Sequence, residues 1–325
     1  MTCEPTLLMA GQTRAALQAK LCQPTEPLAT YWRHLRLLAR QNPFWFSSSN
    51  VLAFVVTGEE VYRRPARDLF LRFTNTKDAG LLTKEVQFHT HTASAPLGRL
   101  MAFYDWIADT DLLTPGEDAA FRAAALDFAA QVPMRQLQGR ARMFDNQIFS
   151  NAFGAAVTGH VLGVRRGDSA QARRIHAVGM EWLIDQFGRL PHGCYSGEGS
   201  TYHMLVVMPL LTLAGAFVEE VTGLPLYQRG VAPSFSPLRD WLVMVRDLVG
   251  PAGLLPGWDA YGAYPFAVRS PLSYLAQRDG DREALALIRD AHTWYPSSHI
   301  AWKFDDRLWT LVWWPEKLEP ALACP

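Results

Sequence analysis

Three clusters of side chains in this 325-residue chain could do chemistry. The first, Arg140-Ala141-Arg142-Met143-Phe144-Asp145-Asn146-Gln147, sets a basic pair and a polar triplet in front of an apolar run that continues to Leu162. Amide side chains at the start of a helix, beside unpaired N–H groups and the positive end of the helix dipole, can receive a carboxylate. Plain capping by Asp145 or Asn146 accounts for the same residue types. The second cluster is residues 191–203, PHGCYSGEGSTYH, whose three glycines let the backbone approach a ligand closely. It holds His192, Tyr195, Glu198, Tyr202 and His203. A tyrosine at a cleft rim can carry protons if its neighbours lower its pKa from about 10, and Tyr202 suits equally a structural place with its ring buried and its hydroxyl wet. In the third cluster, residues 254–264, Trp258, Tyr261 and Tyr264 could stack on sugar rings while Asp259 fixes a hydroxyl, or the segment is a packed loop with a structural aspartate.

Other chemistries lack their residues. His89-Thr90-His91 is a possible metal pair, but no second cluster of Cys, His or carboxylate accompanies it, so neither a metal nor a cofactor is expected. Cys3, Cys22, Cys194 and Cys324 form no C-x-x-C pair and read as isolated thiols. The glycine-rich phosphate loops and the G-x-S-x-G turn of serine hydrolases are absent.

The elements that must carry these clusters are helices. Apolar residues recur at spacings of three and four over residues 28–40, 58–73, 96–108, 117–132, 146–162, 170–187, 201–221, 237–249, 271–277 and 282–291. Thr114-Pro115-Gly116-Glu117 supplies a capping hydroxyl, proline at the first helical position and acid in the first turn, and Asp168 or Ser169 can cap the helix beyond Gly167. A short extended piece is expected only over residues 308–314. No linker rich in proline, glycine or serine divides the chain. The expectation is therefore an all-α fold of antiparallel helix pairs in a single domain at residues 28–325, preceded by an N-terminal extension at residues 1–27. Bundle, solenoid and closed toroid all satisfy that pattern.

Charge and composition narrow the partners. Lys plus Arg (31) balances Asp plus Glu (31), so no whole-molecule positive field exists to hold a nucleic acid. A polyanion of sparser charge, such as an acidic polysaccharide, needs only a local basic or amide-lined cleft. No run approaches the ~18 apolar residues of a membrane span, so no membrane partner is expected. The first residues, MTCEPTLLMAGQTRAALQAK, carry Glu4 and a four-residue apolar run and do not read as a signal peptide. That makes the cytoplasm the expectation, with a periplasmic or secreted place open if a leader has been removed.

The first two clusters together resemble the polysaccharide lyases built on an (α/α) toroid, the alginate-lyase and heparinase II/III-like group. In that group an Asn-Asn-His or Asn-His turn opens a long helix, and a Tyr-His pair follows a Gly/Glu-rich loop. Here Asn146-Gln147 opens the helix, and Tyr202-His203 comes 56 positions after Asn146. Residues 193–203 are similar to the family's Asp-Gly-Ser-x-x-Glu-x-Ser-x-x-Tyr-His run, Phe103-Tyr104-Asp105-Trp106 to its Tyr-Asp-x-hydrophobic stretch, and Pro256-Gly257-Trp258-Asp259 to its Pro-x-Gly-Asp loop. The resemblance implies an incomplete toroid of five to six helix hairpins that eliminates across a 4-linked uronate without metal or cofactor. Asn146 and Gln147, with Arg142, would neutralise the uronate carboxylate, and Tyr202 would serve as base and acid with His203 or His192 assisting. Tyr195 and Glu198 would touch sugar hydroxyls, Trp258 and Tyr261 would form a stacking wall, and Asp259 would be a further substrate-binding residue. Two residues depart from the family: Gln147 stands where it usually has histidine, and His192 where it usually has aspartate. Glutamine cannot accept a proton at neutral pH, which leaves room for a carbohydrate binder without activity. A toroid hydrolase using Glu198 and Asp259 is the other alternative.

Overall fold

Two kinds of helix build the protein. Some bury their whole circumference, and others are apolar on one stripe only. The computed structural model describes residues 7–9, 11–43, 47–76, 90–138, 144–167, 169–191, 207–248, 269–290, 306–315 and 317–318, and every regular element among them is helical. They gather into two compact units, Met1–Cys22 with His34–Phe187, and Gln23–Arg33 with Gly188–Pro325.

The first unit contains α1 (Arg14–Cys22), the later turns of α2 (Leu28–Gln41), α3 (Ser47–Thr57), α4 (Glu60–Thr76), α5 (Thr90–Ile107), α6 (Pro115–Gln131), the short α7 (Pro133–Leu137), α8 (Asn146–Gly159) and α9 (Ala170–Phe187). In α3 every residue from Ser47 to Val56 is buried, and in α8 every residue from Ile148 to Gly159. By contrast α4, α6 and α9 bury one stripe each, as helices with a solvent face do. Packing follows the pattern. α3 lies on α5 and α5 on α8 in one layer, while α4 lies on α6 and α6 on α9 in the other. Between the layers, Phe121 of α6 packs edge-on against Phe70 and Phe73 of α4 and lies 5.0 Å from the Tyr104 ring of α5.

Small residues let the inner helices meet. Ser94 Oγ donates to Asn151 Oδ1 at 2.6 Å and Ala95 N donates to Ser150 Oγ at 3.1 Å, joining the early turns of α5 and α8. Further along both helices, Arg165 Nε reaches the buried Asp105 Oδ1 at 2.8 Å, so α5 and α8 run in the same direction. α8 and α9 run antiparallel at backbone contact. A Cβ on Gly159 would stand well inside 3.0 Å of the His176 backbone, and one on Gly179 equally close to Ala156. Beyond Gly159 the ladder widens into a π-turn, His160–Arg165, where the sequence pattern predicts continued α-helix to Leu162. Here the His160 and His176 rings lie 5.1 Å apart. Burial, then the neighbouring His176 and Arg165, holds His160 at a pKa of about 4, and burial lowers His176 as well.

Residues 7–9 also belong to this unit and are buried. Leu7 N donates to Asp105 Oδ2 at 3.2 Å, and Trp106 Nε1 donates to the Leu7 carbonyl at 3.0 Å. Burial raises the Asp105 pKa despite Arg165 and the Leu7 N–H. Within residues 1–27, expected as an extension, α1 buries Leu17 and Leu21 against α3.

The second unit repeats the alternation. It holds the opening of α2, α10 (Met208–Thr222), α11 (Leu238–Leu248), α12 (Arg269–Asp279), α13 (Arg282–Asp290) and α14 (Asp306–Val312). α10 is buried from Met208 to Val218 and α12 from Arg269 to Ala276, whereas α11 buries a single stripe. Gly223 ends α10 at φ 71°, the left-handed conformation glycine adopts without strain, and returns its N–H to Glu219 O at 2.9 Å. The Glu219 carboxylate accepts from Tyr227 N at 2.6 Å and from Arg278 Nη1 at 2.5 Å, and the Arg278 guanidinium lies 4.5 Å from the Tyr227 ring centre. Tyr31 at the start of α2 donates to the Ile288 carbonyl at 2.8 Å.

The extended piece expected over residues 308–314 is a correction, because α14 is a helix. Trp309 and Trp313 stack one turn apart at 5.3 Å, and both are fully buried against α12. Apolar residues on every side hide the helical period there. Among the described residues, no helix is long and apolar enough to cross a membrane.

Two predictions follow from the α8–α9 contact. Alanine is about 1 kcal/mol better than glycine in a helix interior, but at residue 159 its methyl must displace backbone, and overpacking of that kind costs about 1–3 kcal/mol. Gly159→Ala should therefore lower the midpoint of denaturant unfolding at unchanged slope. For His160, the unfolded chain takes a proton as pH drops below about 6.5 while the folded chain does not until about 4. Stability should fall as pH is lowered through that window, by up to about 3 kcal/mol, with no contribution above it. His160→Phe should flatten that part of the pH–stability profile.

Candidate functional site around the start of helix α8

Of the residues that the sequence singles out, Asn146 and Gln147 are described, and they occupy the first two positions of α8. Asp145 is the cap, with extended backbone at φ −153° and ψ 127°. Its carboxylate accepts from Gln147 N at 2.6 Å and Ile148 N at 3.2 Å. The plain capping reading thus holds, through Asp145. It also changes the chemistry on offer, because the N–H groups that could have received an incoming carboxylate are already taken by one. What the first turn presents beyond its backbone is the amide pair of Asn146 and Gln147, both half-buried. Among the described residues the Gln147 side-chain amide has no hydrogen-bond partner. Its carbonyl on the main chain accepts from Asn151 Nδ2 at 2.9 Å, which ties this turn to the Ser94–Asn151 contact with α5.

Three further contacts fix how the chain enters α8. Phe144, just before the cap, packs on Phe149 in the second turn at 6.3 Å, a hydrophobic staple. Phe149 in turn meets Phe187 of α9 edge-on at 5.1 Å. Next to Phe187, the fully buried Gln186 accepts the Asp145 N–H through Oε1 at 3.2 Å. Gln186 is not among the residues that the sequence singles out. Its signal was a polar residue on the buried stripe of α9 that runs through Ala172, Ile175, Gly179 and Leu183.

The remaining predicted site residues, Arg142, His192, Tyr195, Glu198, Tyr202, His203, Trp258, Asp259 and Tyr261, lie outside the described residues. So does the possible metal residue His89. Among the described residues, no group of three or more His, Cys, Asp or Glu comes together as a metal centre would require. Asp105, from the Phe103-Tyr104-Asp105-Trp106 stretch, is placed as an internal anchor between Leu7 and Arg165. Its neighbour Tyr104 donates to Asp118 Oδ1 at 2.7 Å, and burial raises its pKa well above the usual tyrosine value.

No protein-family model matches the chain, and no curated protein matches it either.

The cap is open to measurement. Asp145→Ala removes an acceptor from two N–H groups and should cost about 1 kcal/mol, whereas Asp145→Ser keeps a capping oxygen and should restore most of it. Thermal or denaturant unfolding of the two variants checks the ordering.

Proposed function

We propose that this protein is a lyase that cleaves acidic polysaccharides or oligosaccharides by β-elimination on an (α/α) toroid. The observation that carries the reading is the amide pair at the opening of α8, with the Gln147 side chain uncommitted among the described residues and the backbone beneath it held by Asp145. The alternation of fully buried and one-sided helices, with α5 and α8 running alike and α9 returning antiparallel, supports a ring of helix hairpins as its scaffold.

In the proposed reaction the C5–H bond next to the uronate carboxylate breaks, a C4–C5 double bond forms, and the bond from C4 to the leaving oxygen breaks. The C5 proton is weakly acidic, because a carboxylate anion resists more charge as the carbanion develops. Asn146 and Gln147 donate hydrogen bonds to the carboxylate and stabilise that charge, as an oxyanion hole does. Tyr202 takes the proton and returns it to the departing oxygen, with His203 or His192 as the second group. Gln147 cannot serve as the base, which makes the phenol the central group. The same substitution favours one second reading, a saccharide binder that breaks no bond.

Incubating the purified protein with alginate, glucuronan and glycosaminoglycans, and following ultraviolet absorbance of the unsaturated product, tests the reaction. Activity should appear on at least one polymer, disappear in Tyr202→Phe, and fall by about 10²–10³ in Gln147→Ala, the range for loss of one oxyanion donor. Glu198→Gln and Asp259→Asn should retain bond cleavage, where a hydrolase would lose it. A flat trace on every polymer with saccharide binding intact overturns the lyase reading in favour of the binder.

A further inference from the structure

Resting on the reading of Asn146 and Gln147 as the carboxylate-facing pair, we propose that Gln186 is the positioning residue of the site: a buried amide on α9 that sets where those two side chains point. The first turn of α8 has no preceding turn of hydrogen bonds to hold it, so its cap is what keeps it from fraying, and a first turn that frays carries the N1 and N2 side chains with it. Asp145 holds an extended backbone at φ −153°, and its own N–H points away from the helix it caps. Gln186 Oε1 accepts that N–H at 3.2 Å. This is the one hydrogen bond described that links the α8 cap to a different helix.

Gln186 is 0 % exposed, so its amide cannot trade the bond for water, and removing the acceptor takes from the cap the bond that ties its N–H to α9. The neighbouring pair Phe149–Phe187, at 5.1 Å, binds the same two helix ends through apolar contact. That contact holds α8 against α9 but sets no dihedral angle at residue 145. The two functions are separable: Phe187 docks the helix, and Gln186 orients its opening. The cap carboxylate then passes the orientation on, since Asp145 Oδ1 grips the N–H groups of Gln147 and Ile148 directly. Displacement of a substrate-holding group by about 1 Å costs about 10²-fold in rate, so a residue that never touches substrate can govern turnover through this chain of three bonds.

The test uses the full chain and two substitutions. Gln186→Leu keeps bulk and removes the acceptor. Gln186→Glu keeps the length and, protonated in its buried place, keeps a carbonyl acceptor. Hydrogen exchange followed by mass spectrometry on the peptide covering residues 143–150 reads the cap without any assumption about activity. In Gln186→Leu, exchange there should accelerate at least tenfold while peptides from the middle of α9 keep their protection, and Gln186→Glu should return it towards wild type. Unchanged exchange at 143–150 in Gln186→Leu overturns the positioning role whatever the reaction proves to be. On the polymer that wild type cleaves, Gln186→Leu should lower kcat by 10- to 100-fold with KM changed less than threefold, and Gln186→Glu should recover most of kcat. A loss that appears equally in both variants, or only in the fraction of folded protein, marks Gln186 as structural and overturns the proposal. Absence of product from wild type overturns the lyase reading alone, and the exchange result then decides the positioning of the cap by itself.

Discussion

Where α8 crosses α9, backbone lies against backbone, and no side chain larger than hydrogen fits between them. Gly159 faces the His176 main chain, Gly163 the Arg173 main chain and Gly179 that of Ala156. On its other side α8 meets α5 in the same manner, with Gly154 against the Ser94 carbonyl. A helix held this closely on two sides has no solvent face to fill with charge, which is why the run from Ile148 to Gly159 is all small or apolar and all buried. The helices outside it then have to supply the polar surface, and α4, α6 and α9 do so. Ion pairs of the outer layer such as Arg67–Glu117 sit partly in water, where they contribute little stability. Glu117 is also the third helical residue of α6, where it closes the capping box with Thr114, and the Arg67 and Thr114 bonds hold its carboxyl at about 2.

The same closeness gives the opening of α8 its stiffness. A functional group on a loop inherits the motion of the loop, whereas Asn146 and Gln147 stand on the first turn of the most tightly held helix in their unit. Asp145, the Phe144–Phe149 staple and Gln186 each hold that turn from a different direction. With the cap carboxylate satisfying the helix dipole, the side chains that follow it on the first turn, Asn146 and Gln147, are neutral amides.

Much of the helix pattern was legible in the sequence. The boundaries of α9 were readable to the residue, and the Thr114 cap of α6 followed from side-chain chemistry at four positions. The helix pattern failed in two short helices of the buried set, α3 and α14. α3, with SSSNVLAFVVT, has no polar face to mark a period of 3.6, and α14 places aromatic and aliphatic residues on all sides. Gln186 and the anchoring role of Asp105 were not legible for a different reason: each is a polar residue among apolar ones, and its meaning lies in a partner distant in the chain, Asp145 for one and Leu7 for the other. At the site, the sequence placed Asn146 and Gln147 at the helix opening but could not choose between Asp145 and Asn146 as the cap. That choice depends on the backbone angles of residue 145.

The widened turn at His160–Arg165 carries a bond from Arg166 N to the Val161 carbonyl, five residues apart rather than four. The chain here holds one residue more than an unbroken α-helix would need to cover the same rise. Excising one position from the turn would let the ladder close as ordinary α-helix with everything beyond it in nearly the same phase, because the extra residue is what the wide turn absorbs. A residue added to or removed from a regular stretch of helix has no such slack and turns all that follows by about 100°, one step of the 3.6-residue period. The wide turn thus works as a splice, a place where the residue count of the helix can change by one without a change of phase.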